Sequence, residues 1–179
     1  MKHMRKYSCW NWCYSKRYYL THPWKFFKDL NRNIKDICMR ARYGFTWTDI
    51  WNWDHWFLHT TPQMLRHMAD HGSAYPGQPP FETPDEWHKW LHRIADLLET
   101  GNEEWQEEHN EYYKEYMDNL MKGWMSWTDE NGNRHSKPRE RTELDDKYFA
   151  RAKELAEQGE ANVKEAMEEL GKHFFMVWD

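Results

Sequence analysis

Apolar positions recur at helical spacing along most of the chain, and the breaks between periodic stretches divide it into helices. From Pro23 onward, Phe27, Leu30, Ile34, Ile37, Cys38 and Ala41 share one helical face, with Lys28, Arg32, Lys35 and Arg42 off it. Pro23 suits a first turn, where its missing N–H costs nothing, and Gly44 suits the stop. Thr46 can cap the next helix, with Asp49 closing a Thr-x-x-Asp box. A stripe of Ile50, Trp53, Phe57, Thr61, Met64, Leu65 and Met68 then runs to about Asp70. Pro62 inside that stripe removes one backbone bond and predicts a kink, or two abutting helices, near Thr60–Pro62.

Residues 72–83 are a Pro/Gly-rich connection. Thr83-Pro84-Asp85-Glu86 combines cap, first-turn Pro and third-position acid. The periodic run after it holds Trp87, Leu91, Ile94 and Leu98, passes an interruption at Gly101, and continues through Trp105, Tyr112, Tyr116 and Leu120. Between 123 and 142 the period fails, which predicts a mobile loop with a short hairpin at Asn131-Gly132. Two further helices are expected, at roughly 143–158 and 160–177. The segment 1–20 has no clean period and reads as a basic, aromatic N-terminal arm, extended or in short strands. The fold class expected is all-α: one helical domain over 1–179, a bundle of five or six helices.

Composition narrows the picture. Thirteen Trp and 17% aromatic residues exclude wholesale disorder. No apolar run approaches the roughly 18 residues of a spanning helix, so no membrane partner is expected. Cys9, Cys13 and Cys38 make no disulfide framework, and the basic start lacks the apolar core of a signal peptide. A reducing cytoplasm follows. Residues 1–43 carry eleven basic side chains against two carboxylates, a net +9 in a chain whose total is −5. That split reads as a nucleic-acid or phosphate arm, or as an arm that docks on an acidic body or a second copy in a homo-oligomer.

The candidate chemistry lies in histidine, tryptophan and arginine. His55/His59, His67/His71 and His88/His92 are spaced i,i+4, which puts both rings of a pair on one helical face. Such pairs chelate borderline metals, or serve as stacking and hydrogen-bonding groups around an aromatic core. No Glu occupies the place of a zinc protease's base, and no phosphate loop or nucleophile elbow occurs, so no catalytic residue, metal ligand or cofactor is assigned. Trp47, Trp51, Trp53 and Trp56 crowd ten residues and cannot all face one core. They read as a second buried surface, a partner surface or a stacking wall for bases. Arg40, Arg42, Arg66 and Arg93 lie where they can hold phosphates.

The blocks Arg40-Ala-Arg-Tyr-Gly-Phe-Thr-Trp-Thr-Asp-Ile-Trp-Asn-Trp-Asp54, Pro62-Gln-Met-Leu-Arg66, Tyr75-Pro76, Thr83 to Trp87 and Phe174 to Asp179 resemble a Trp-rich family of small, uncharacterised bacteriophage proteins. The resemblance implies a phage accessory protein in the cytoplasm of the infected host and carries no reaction with it. The expectation drawn is sequestration of a small phosphate-bearing ligand, a nucleotide immune signal. Its pocket would use Arg40, Arg42, Trp47, Trp51 and His55, together with Arg66, Tyr75, His88 and His92. The competing expectations are a host-enzyme inhibitor acting through exposed Trp and Tyr, and nucleic-acid binding through residues 1–43.

Overall fold

The computed structural model describes residues 16–122, 125–130, 132–137 and 140–177. Most of the expected N-terminal arm, with Cys9, Trp10, Trp12 and Cys13, lies outside the described residues. The protein is an all-α helical bundle. Eight helices and one short hairpin occur among the described residues. Among the same residues, no helix is long and apolar enough to cross a membrane. The chain falls into two compact units, residues 1–64 and 65–179.

The first unit holds α1 (Lys16–Thr21), α2 (Pro23–Tyr43), α3 (Trp47–Trp51) and the start of α4 (Trp53–His71). Residues 16–21 are thus helical, where an extended arm was expected to run to residue 20. Gly44 ends α2 as expected, in the left-handed region at φ 80°, and its N–H donates to the Arg40 carbonyl. The Thr46/Asp49 capping box opens α3. The break then falls at Asn52, not at Pro62. Helix α4 runs through Pro62, and two side chains beside it donate to backbone carbonyls of the preceding turn. The Thr60 hydroxyl donates to the Trp56 oxygen at 2.6 Å and Gln63 Nε2 to the His59 oxygen at 2.8 Å.

The second unit holds the rest of α4, α5 (Pro84–Glu99), α6 (Glu103–Glu108), α7 (Tyr113–Lys122), the hairpin β1 (Met125–Thr128) and β2 (Arg134–Lys137), and α8 (Glu143–His173) with a closing 3-10 turn at Phe174–Met176. Its core lies chiefly where α5 packs on α8. Trp87, Trp90, Leu91, Ile94, Ala95 and Leu98 are buried on one face of α5 and Leu155 and Ala166 on α8. Full burial of each of Leu91, Ile94 and Leu98 is worth about 1.5–3 kcal/mol. Around them Phe81, Trp87 and Trp90 form a ring cluster with His173. The expected periodic run from 84 to 122 divides into three helices. Asn102 caps α6 by accepting from Glu104 N–H at 2.8 Å, and Asn110 accepts from Tyr112 N–H at 3.1 Å in the second break. The short hairpin forms in register, with Ser126 opposite Ser136.

The largest departure is α8. Gly159 was the expected boundary between two helices, yet one 31-residue helix runs through it. The residue is buried, and an added Cβ there would stand 2.5 Å from the Thr100 carbonyl oxygen and 3.0 Å from Gln106 Nε2. Glycine is needed here for close approach, not for a turn. Gln106 Nε2 donates to that carbonyl at 3.2 Å, and Asn162 Nδ2 donates to the Thr100 hydroxyl at 3.1 Å.

Gly-to-Ala inside a helix normally gains up to about 1 kcal/mol. At Gly159 the sign reverses: Gly159→Ala should cost about 1–3 kcal/mol and lower the melting temperature by about 2–10 °C. Gly171→Ala, in the same helix with nothing within 4 Å of the added carbon, should leave it unchanged or raise it. Paired thermal melts check both.

Candidate docking face

The geometry of unit 1 follows from polar residues. Asp29, Asn33 and Arg40 recur at i, i+4 and i+11 and share one face of α2. Asp29 is 5% exposed and Asn33 0%. Asp29 accepts from the Tyr19 hydroxyl at 2.5 Å, which ties α1 to α2, and pairs with Arg32 at 3.1 Å. Arg40 reaches Asp49 at 2.5 Å, and the same carboxylate accepts the Thr46 N–H at 2.6 Å, so one buried acid joins the end of α2 to the start of α3. These groups set which side of α2 packs.

The consequence concerns the apolar stripe, which lies roughly a quarter to a third of a turn round the helix from that polar face. An amphipathic stripe ordinarily faces a core. Here it faces outward: Phe27 is 64% exposed and Ile34 49%, with Ile37, Cys38 and Ala41 also exposed. Trp24 and Tyr43, at the two ends of α2, are exposed too, and beyond α2 so are Phe45, Trp47, Ile50, Trp53 and Met64, with Trp51 85% exposed. Among the described residues of unit 1, Pro62 is the one apolar residue that is buried, whereas Asp29, Asn33, Thr46, Asp49 and His59 all are. Apolar groups exposed on this scale make this side of unit 1 the candidate interaction surface.

Lys28, Lys35 and Arg42 recur every seventh residue, form one margin of the stripe, and are exposed. Arg42 lies 5.4 Å from the centre of the Tyr43 ring. Unit 1 carries eleven basic and four acidic side chains, a net +7, and unit 2 is net −12.

The residues expected to line a pocket divide between the units. Arg40, Arg42, Trp47, Trp51 and His55 belong to unit 1, and Arg66, Tyr75, His88 and His92 to unit 2. Arg40 is committed to Asp49. Arg66 donates to Asp96 and Glu99 at 2.6 Å each. Burial alone would lower the Arg66 pKa, but these hydrogen bonds and the two negative charges outweigh it and raise it above its ordinary value. Arg93 is ion-paired with Glu165. His92 sits 3.1 Å from Asp70, and His88 is half-buried on α5. His55 stacks near His59 with ring centres 6.0 Å apart, and His67 on His71 at 4.4 Å. Among the described residues no three His, Cys, Asp or Glu side chains gather as a metal-holding group.

Two cavities in unit 2 are small. One of about 200 Å³ is lined by Glu103, Gln106, Glu107, Asn110, Tyr148 and Ala152. The other, of about 150 Å³, lies among Met68, Gly72, Tyr75, Trp87, Met176 and Val177. Ligand pockets ordinarily start at about 300 Å³. Sequence reasoning passed over Trp24, Phe27, Ile34, Ile37, Lys28 and Lys35 as parts of an ordinary amphipathic helix. The available signal was the polar set Asp29, Asn33 and Arg40 on a competing face.

Because Asp49 serves both the cap and the ion pair, Asp49→Ala should cost about 2–3 kcal/mol and lower the melting temperature by about 4–10 °C. Asp49→Asn keeps an acceptor at the cap and should lose less. Thermal melts by circular dichroism measure the difference.

No family model, curated protein or solved structure matches the chain.

Proposed function

We propose that this is a non-enzymatic docking protein, a phage accessory factor that acts in the infected host by laying the exposed aromatic and aliphatic face of unit 1 on another surface. The observation that carries the reading is the inversion of α2: buried Asp29 and Asn33 on one side, solvent-facing Phe27 and Ile34 on the other. A surface of this kind gains free energy only when something covers it, at about 25 cal/mol for each Å² of apolar area removed from water. Exposed Trp and Tyr are the expected anchors of such contacts.

Sequestration of a small phosphate-bearing ligand is the weaker reading. Two of the arginines expected to hold phosphate, Arg40 and Arg66, are already held by carboxylates, so an anion would have to displace an existing partner. The two cavities described in unit 2, about 200 and 150 Å³, are each smaller than an ordinary ligand pocket.

A docking face should bind a hydrophobic dye such as anilinonaphthalene sulfonate in the native protein, and its substitution should be cheap. Combined Trp24→Ser, Ile34→Ser and Trp51→Ser should reduce the dye signal while shifting stability by no more than about 0.5 kcal/mol per site. A steep loss of melting temperature would mean that these side chains form an interior, and the reading would fail.

A further inference from the structure

The docking face has a specific chemistry. The stripe on α2 is aliphatic and aromatic, Lys28, Lys35 and Arg42 run along one margin of it, and exposed tryptophan stands on α2, α3 and α4. We infer that what covers it is an anionic lipid surface, with α2 lying in the plane of the headgroups. The inference rests on the reading of unit 1 as a docking module and names its target.

Helices that lie in a lipid interface need a strong separation of apolar and polar sides, low overall hydrophobicity, Lys and Arg on the polar side, and Trp, Phe or Leu on the other. Helix α2 meets each requirement: Phe27, Ile34 and Ile37 on one side, Lys28, Lys35 and Arg42 beside them, and Trp24 in its first turn. That no helix among the described residues could span a membrane does not bear on this mode, because an interfacial helix enters only the headgroup boundary. The structure adds what the sequence could not, namely that this stripe is turned to solvent and not packed.

Charge selects among the occupants. Unit 1 is net +7, so a second copy meeting it face to face would bring like charges together. Among the described residues no carboxylate pairs with Lys28, Lys35 or Arg42, which leaves all three available to phosphate headgroups. Nucleic acid offers phosphates too, but gives no apolar cover to Ile34, Ile37 and Ile50. A lipid interface supplies both, and its headgroup level suits the amphipathic rings of Trp24, Trp47, Trp51 and Trp53. A protein would need a fitted pocket for each indole, whereas a fluid interface accommodates them singly.

The test uses the full chain and co-sedimentation with vesicles of phosphatidylcholine alone or with phosphatidylglycerol added. Binding is expected only with phosphatidylglycerol, and should weaken as salt rises. Each basic side chain near an anionic surface is worth about fivefold, so Lys28→Gln, Lys35→Gln and Arg42→Gln together should weaken binding about 100-fold. Phe27→Ser with Ile34→Ser should remove binding at any salt, with far-UV circular dichroism as the check on folding. The salt series on the unaltered chain needs no variant and stands by itself. Equal binding to both vesicle types, or binding to neither, overturns the lipid assignment. So does binding of single-stranded oligonucleotide or self-association without vesicle binding. If lipid binding fails while the native chain still binds the hydrophobic dye, the docking reading survives and only the target is wrong. If the dye signal is missing as well, both fall.

Discussion

Helix α2 is oriented by buried polar groups, and the rest of unit 1 depends on that constraint. A buried carboxylate or amide must be hydrogen-bonded or it costs several kcal/mol, so the face that carries Asp29, Asn33 and Arg40 has few places to go. The Tyr19 hydroxyl and Arg32 hold Asp29, and the Thr46 cap with Arg40 holds Asp49. Once these are made, the apolar stripe has no choice but to point elsewhere. Each apolar side chain left in water forgoes about 1.5–3 kcal/mol, which is the free energy that the proposed docking would recover.

Unit 2 follows the opposite logic. Its helices α5 and α8 bury Trp87, Leu91, Ile94, Leu98, Leu155 and Ala166, and apart from the buried cap acid Asp145 its charges lie outside the core, many in pairs such as Arg151 with Glu111 and Lys147 with Glu143. Exposed pairs of this kind add little stability and are screened by salt. Stability there comes from packing, including the close passage of Gly159 over Thr100. One chain thus joins a well-packed acidic unit to a basic unit whose apolar groups face outward.

The arginines show why residue type alone does not place a site. Arg40, Arg66 and Arg93 have the chemistry to hold phosphate, but each meets a carboxylate of its own unit. An acid supplied by the same fold is present at high effective concentration, and a free anion has to compete with it. Lys28, Lys35 and Arg42 instead face solvent on a regular margin of the α2 stripe.

What the amino-acid order determined by itself was local. The Thr46 and Thr83 capping boxes, the stop at Gly44, the irregular 72–83 connection and the hairpin spanning 125–137 all follow from bonds and φ angles within a few residues. The helical class was legible for the same reason, since periodicity needs no knowledge of neighbours. Tertiary structure alone decided which face of α2 packs, that α8 continues through Gly159, and that the break before α4 falls at Asn52 while Pro62 stays inside it. Those outcomes turn on what lies opposite a residue in space. Two faces of one helix can both carry a consistent pattern, and only the partners that each meets determine which is buried.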